Sequence, residues 1–206
     1  MTHLIWDLGG TLLDTYPDVD RTLCLTARGT VTEAGLAEVA RLTRISSGHA
    51  IRELSRRHGV PEQDLRAAYD SLKERWRTEP APVMAGAREV LDVVTSGGGL
   101  NLVATHRDRA SATVLLDTLG LRVDDLVCAP DGYPRKPDPA MITHLLERHA
   151  LSPASCLAVG DRTGDMGAAV AADVPAVLLE TPGIPLDAAG ADRIISLSEL
   201  LPLLRR

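Results

Sequence analysis

The stretch His3-Leu-Ile-Trp-Asp-Leu-Gly-Gly-Thr11 decides how the chain folds. Its opening residues form a short apolar run of strand length, broken by a single aspartate and then by two glycines. Glycines at that point let the backbone leave strand geometry and come close to a ligand. The reading is a buried strand ending in a special turn, with Asp7 at the junction. Amides of the turn, at Leu8 and Gly9, then point the same way as the carboxylate, so a nucleophile and an anion cradle are built together.

Working outward, the apolar spacing from about Asp14 to Pro82 is helical. Leu36, Val39 and Leu42 share a face, as do Ile51 and Leu54, and then Leu65, Ala68, Tyr69, Leu72 and Trp76. Pro61 ahead of Glu62 and Asp64 marks a helix start, Ser46-Ser-Gly48 reads as a turn between helices, and Pro80-Ala-Pro82 closes the segment. Three or four inserted helices are expected. From Ala87 the pattern alternates. A helix near Ala87–Thr95 leads to a strand over Leu100–Thr105, and a helix capped by Asp108 leads to an apolar run over Asp125–Ala129. A helix opened by Asp138-Pro139 then leads to a strand over Cys156–Val159, and an Ala-rich helix to a strand over Ala176–Leu179. Ser196 and Glu199 have capping-box spacing before a last helix. Such alternation with wholly apolar strands predicts an α/β fold, a parallel sheet with helices on both faces. Residues 1–14 and 83–206 are assigned to this core and residues 15–82 to the helical insertion.

Parallel sheets bind ligands beyond the carboxyl ends of their strands, where strand order reverses. The polar residues at strand ends are Asp7, Thr105-His106-Arg107 and Asp161, with Lys136 arriving from the loop Pro134-Arg-Lys-Pro-Asp-Pro139. Gly160-Asp161-Arg-Thr-Gly-Asp165 puts a third carboxylate four residues beyond the second, on one face of a starting helix. Three convergent carboxylates repel unless a cation sits among them, and an open site of oxygen ligands suits Mg²⁺. Thr105 and Lys136 together supply a hydroxyl donor and a compact charge for an anionic oxygen. The positive charge is otherwise carried almost wholly by arginine, Lys73 being the only other lysine.

Composition excludes several classes. With 206 residues and a formal charge of −6, the chain is long enough to bury a core and has no basic stripe to follow a nucleic acid. Cys24, Cys128 and Cys156 are odd in number and widely spaced, as expected of reduced thiols rather than a disulfide framework. No run approaches bilayer length and no leader precedes the first strand, so a cytoplasmic protein without membrane partners is expected, as monomer or weak homodimer.

These motifs resemble those of the haloacid dehalogenase-like hydrolase superfamily, in its phosphoglycolate phosphatase-like subgroup. Asp7-Leu-Gly-Gly-Thr11 is similar to its first motif, Thr105 to its second, Lys136 to its third and Gly160-Asp161 through Asp165 to its fourth, in the same order over nearly the whole chain. The insertion resembles the family's helical cap. The resemblance implies a Rossmann-like core and an aspartyl intermediate on Asp7. It further implies Mg²⁺ held by Asp7, Asp161 and the Gly9 carbonyl with Asp165 in support, and a phosphoryl group bound by Leu8, Gly9, Thr105, His106 and Lys136. Small phosphorylated metabolites are the implied substrates.

One position departs from the family pattern. Its phosphatases carry a second aspartate two residues after the nucleophile, which protonates the leaving group and then activates water; here Gly9 stands instead. Three readings stay open. The first is a phosphohydrolase that borrows a donor, His106, His49 or an ordered water. The second is a phosphonate- or halide-cleaving relative; phosphonate cleavage needs a cap lysine, and the one available, Lys73, lies in a Lys-Glu-Arg run that reads as a solvated face, while halide cleavage does not use the metal-site carboxylates in the same way. The third is a phosphate-binding or regulatory module without turnover. Arg44, His49 and Arg52, clustered around the Ser46-Ser-Gly48 turn, are the residues expected to read a substrate.

Overall fold

A computed structural model describes residues 2–204. The chain divides into two compact units: one comprises the N-terminal stretch to Leu13 with the chain from Val83 onward, the other spans Asp14–Pro82.

The second unit is all helical: α1 (Tyr16–Arg28), α2 (Glu33–Thr43), α3 (Ser47–His58) and α4 (Glu62–Arg75). Local chemistry sets their ends. Thr32 Oγ1 accepts from the Gly35 amide at 3.1 Å, and Ser46 Oγ from the His49 amide at 3.0 Å. The segment Ser46–Gly48 is thus a capped helix start rather than an open turn. Gly29 ends α1 with φ of 69°, a conformation that favours glycine. Val19, Leu23, Val39, Leu42, Ile51, Leu54, Leu65 and Leu72 are buried along these helices. Among them lies a buried polar group. Arg44 Nη1 donates to Asp20 Oδ2 at 2.7 Å, Thr43 Oγ1 donates to Asp20 Oδ1 at 2.7 Å, and the guanidinium stacks 3.4 Å from the Tyr16 ring centroid. Buried Trp76 donates its indole N–H to Asp18 Oδ2 at 2.8 Å.

The first unit carries a parallel sheet. Strands β1 (His3–Trp6), β2 (Asn101–Thr105), β3 (Asp125–Cys128), β4 (Cys156–Gly160), β5 (Ala176–Leu179) and β6 (Asp192–Ile194) lie in the order β3-β2-β1-β4-β5-β6. Every neighbouring pair is parallel. The strands alternate with α5 (Ala87–Ser96), α6 (Arg109–Thr118), α7 (Ala140–Arg148) and α8 (Thr163–Ala171). Ile5, Leu102, Ala104, Val127 and Ala158 on one face pack against Met141, Ile142 and Leu145 of α7 and Ala168 and Ala169 of α8. The other face meets α5. There the buried Asn101 accepts from Trp6 Nε1 at 3.1 Å and donates to the Leu91 carbonyl at 3.0 Å and to Thr95 Oγ1 at 3.1 Å. Both faces are thus covered, which is why the strands read as unbroken apolar runs.

Two details go beyond the sequence reading. The edge strand β6 is short, with two of its three residues exposed, and has no apolar run to announce it. The capping box at Ser196 and Glu199 is present but opens a 3₁₀ turn, Leu197–Leu200, before the short helix Leu201–Leu204. Cys24, Cys128 and Cys156 are buried free thiols, and no helix among the described residues is long and apolar enough to cross a membrane.

Candidate active site

The chain enters the sheet at its centre, builds β2 and β3 on one side and then crosses to build β4, β5 and β6 on the other. The strand order therefore reverses between β1 and β4, and the crevice beyond their carboxyl ends is where such sheets bind ligands. Asp7 directly follows β1, its amide still bonded to the Val159 carbonyl of β4 at 2.9 Å. The next residues fold back tightly, Leu12 and Leu13 both donating to the Leu8 carbonyl and Gly10 to the Leu13 carbonyl at 2.8 Å. Gly10 has φ of 101°, which a side chain would strain.

Asp161 directly follows β4 and is 1 % exposed. Thr11 Oγ1, itself fully buried, donates to its Oδ1 at 2.8 Å, and Arg162 Nε stands 3.7 Å from its Oδ2. Asp165 lies in the first turn of α8, with Oδ2 accepting the Arg162 amide at 3.0 Å. That turn needs Gly160. A Cβ there would come within 2.4 Å of Asp165 Cβ, so glycine lets the helix start press against the strand end.

Lys136 joins the two sides. Its Nζ donates to Asp7 Oδ1 and to Asp165 Oδ1, both at 2.6 Å, and its side chain is 4 % exposed. Carboxylate oxygens of Asp7, Asp161 and Asp165 all lie within 4.8 Å of one another. This donor set, hard oxygens with a neighbouring hydroxyl, fits a hard divalent cation and could hold one.

The electrostatics follow from burying these charges together. Burial pushes the Asp7 carboxyl up to about 7 against the pull of Lys136, with the Asp165 and Asp161 charges adding to the rise and Arg162 opposing it. Burial acts the same way on Asp165, but the charge and hydrogen bond of Lys136, with Arg162 behind them, hold that carboxyl below its ordinary value. Lys136 is held charged by Asp165 and Asp7 in spite of its burial.

His106 behaves differently from a proton donor. Its Nε2 accepts the Lys136 amide at 2.8 Å, and burial, with the Lys136 and Arg135 charges, lowers its pKa to about 3. The imidazole is a neutral acceptor that shapes the Lys136 loop. Thr105 ends β2 nearly buried, its oxygen accepting the Arg107 amide at 3.2 Å, which leaves the hydroxyl proton to donate.

The first unit thus brings together Asp7, the Gly9 turn, Lys136, Asp161 and Asp165. Arg44, His49 and Arg52 lie in the helical unit. Arg44, expected to read a substrate, is instead 6 % exposed and committed to Asp20, Thr43 and Tyr16. His49 is half-buried in the first turn of α3 and Arg52 is exposed. Two site neighbours have no role in the sequence reading, Thr11 and Arg162. Thr11 had a signal, since it closes the first motif; Arg162 had only its place beside Asp161.

Comparison with known proteins identifies the family and the fold. The haloacid dehalogenase-like hydrolase family model matches residues 1–173, and the chain belongs to that family. A phosphoglycolate phosphatase of Nitrosospira multiformis is 35 % identical over 181 residues, covering 81 % of this chain and 77 % of that protein. One from Agrobacterium fabrum is 31 % identical over 193 residues, covering 84 % and 78 %. Among solved structures, a hydrolase from Pseudomonas syringae superposes with a TM-score of 0.74 at 25 % identity, over 100 % of this chain and 98 % of that one. A haloacid dehalogenase family hydrolase from Deinococcus radiodurans, with bound phosphate and sodium, superposes at 0.77 with 21 % identity, over 98 % and 93 %, a likeness of fold.

Proposed function

We propose that this hydrolase is a Mg²⁺-dependent phosphatase of small phosphorylated metabolites, with Asp7 as nucleophile. The observation that carries the reading is the buried Lys136 bridge between Asp7 and Asp165, with Asp161 inside the same 4.8 Å cluster at the strand-order reversal. Relatives at 31–35 % identity that are phosphoglycolate phosphatases support the substrate class.

Asp7, Asp161 and the Gly9 carbonyl would hold the metal, with Asp165 in support. Bound there, Mg²⁺ supplies charge neutralisation and orientation for the phosphoryl group. Lys136 takes Asp7 Oδ1 as partner and leaves Oδ2 to attack phosphorus. As that bond forms, the bond from phosphorus to the leaving oxygen breaks. Thr105, Lys136 and the Leu8 and Gly9 amides bind the transferring oxygens, where preorganised donors act most strongly. Water then attacks the aspartyl phosphate, loses its proton to solvent, and frees phosphate and Asp7.

Position 9 provides no acid or base, and His106 Nε2 is engaged in accepting the Lys136 amide. The leaving oxygen takes its proton from water. Attack survives this, while poor leaving groups and the hydrolysis of the intermediate are slowed, each by up to roughly 10²–10⁴. We assign the helical unit the part of a cap on the family resemblance, with His49 and Arg52, clustered at the Ser46–Gly48 segment, as its substrate-reading residues.

The test is phosphate release from small phosphomonoesters, 2-phosphoglycolate and an activated aryl phosphate among them, with and without Mg²⁺, for wild type and Asp7→Asn. Metal-dependent release that vanishes in the variant is expected. No release from any compound by a folded, Mg²⁺-binding protein would refute the phosphatase reading and leave a binding module.

A further inference from the structure

Resting on the metal-dependent reading above, we propose that Arg162 is a positioning residue that trades affinity for the divalent cation against affinity for the phosphoryl dianion. Asp7, Asp161 and Asp165 gather three carboxylates within 4.8 Å, and Lys136 answers them with a single buried charge. Arg162 is the second cation at the cluster. Its Nε lies 3.7 Å from Asp161 Oδ2, on the opposite oxygen from the Thr11 hydroxyl, so that Asp161 is held from two sides. The field of Arg162 reaches Asp7, Asp165 and His106 as well.

With the three carboxylates ionised, as ligands of a divalent cation must be, and both cations counted, the site carries a formal charge of −1 for the cation to enter; without Arg162 it carries −2. A divalent ion then brings the site to +1 in the first case and to neutrality in the second. A dianionic phosphoryl group is drawn more strongly to the first site than to the second. Arg162 therefore weakens metal binding and strengthens phosphate binding through one charge. The side chain is only 24 % exposed, so solvent screens it less than a surface arginine. Even at the dielectric of water, a unit charge close to a divalent ion alters its affinity by on the order of tenfold.

The backbone of Arg162 does separate work. Its amide donates to Asp165 Oδ2 and its carbonyl accepts the Asp165 amide, both at 3.0 Å, contacts that glutamine or lysine preserves. Arg162→Gln and Arg162→Lys should both fold, as circular dichroism and melting temperature would show.

The experiment is calorimetric titration of Mg²⁺ into wild type and both variants without substrate, followed by titration of inorganic phosphate into each Mg²⁺-loaded protein. Arg162→Gln is expected to bind Mg²⁺ about tenfold tighter and phosphate several-fold weaker, with Arg162→Lys near wild type in both. Unchanged or weaker Mg²⁺ binding in a folded Arg162→Gln protein overturns the proposal, as does an absence of Mg²⁺ binding to all three. Neither titration needs turnover, so failure of the phosphatase reading registers separately, as no metal-dependent phosphate release from wild type.

Discussion

Replacing Asp20 by alanine should cripple the helical unit without touching the candidate active site. Asp20 and Arg44 are 9 % and 6 % exposed in their side chains and meet at 2.7 Å, with Thr43 bonded to both. Removing one partner of a buried pair leaves the other charge in a low-dielectric setting, at a cost of about 3–5 kcal/mol. The Tyr16 stack on Arg44 is present in both proteins and leaves the difference unchanged. A loss of about 3–5 kcal/mol is a large part of the roughly 5–15 kcal/mol that holds a domain folded. Asp20→Leu with Arg44→Met removes both charges and should lose far less, within about 1–2 kcal/mol of wild type, because no buried charge is orphaned. The chain is suited to the assay. It has two tryptophans, Trp76 at the end of α4 and Trp6 in β1, so a Trp6→Tyr background lets urea unfolding of the helical unit be followed by fluorescence alone. A loss below 1 kcal/mol in Asp20→Ala, or a double variant no more stable than the single one, would refute the reasoning and return Arg44 to the candidates for substrate contact.

Three further outcomes are expected. If Gly9 slows hydrolysis of the intermediate more than attack, rapid mixing with an aryl phosphate should give a product burst near enzyme stoichiometry, and Gly9→Asp should raise turnover on alkyl phosphates; linear release and an unimproved variant would count against both. At the other end of the sheet, burial works to raise the Asp125 carboxyl, but His149 at 2.8 Å, the Leu126 amide and Arg148 hold it below its ordinary range. A depressed folded value contributes stability above the unfolded pKa and loses it as pH falls through the folded one. The advantage of wild type over Asp125→Asn, on the order of 1 kcal/mol near neutrality, should therefore vanish in urea titrations as pH drops from about 5 towards 2.

The core was legible because its strands are buried on both faces, so β1, β2, β3, β4 and β5 stand out as apolar runs, and the polar residues ending β1, β2 and β4 are easy to see. Asp7, Thr105 and Asp161 were found that way, and Lys136 by its rarity and its prolines. β6 escaped because Asp192 and Arg193 are exposed and Ile194 alone turns inward. Arg44 shows a different limit. Its partner Asp20 lies 24 residues away on another helix, and no periodicity links the two; only packing does. The same holds for His106, whose ring is fixed by an amide 30 residues on. Spacing locates residues on a face, but a partner on another element decides whether a polar side chain is a tool or a brace.

Asn101 lies at the far end of β2 from Asp7 and Thr105, yet it sets their spacing. Strands buried on both sides carry little alternation, so apolar pattern alone says little about how far one should slide along the next. Asn101 Oδ1 accepts from the indole of Trp6, the residue before Asp7, and its amide anchors the same strand to α5. A slide of one residue would shift the nucleophile against Thr105 by about 3.3 Å. Rate can fall about a hundredfold for an error of 1 Å. The asparagine therefore works as a gauge block: it touches no substrate, and its tolerance is inherited by every distance measured at the other end of the sheet.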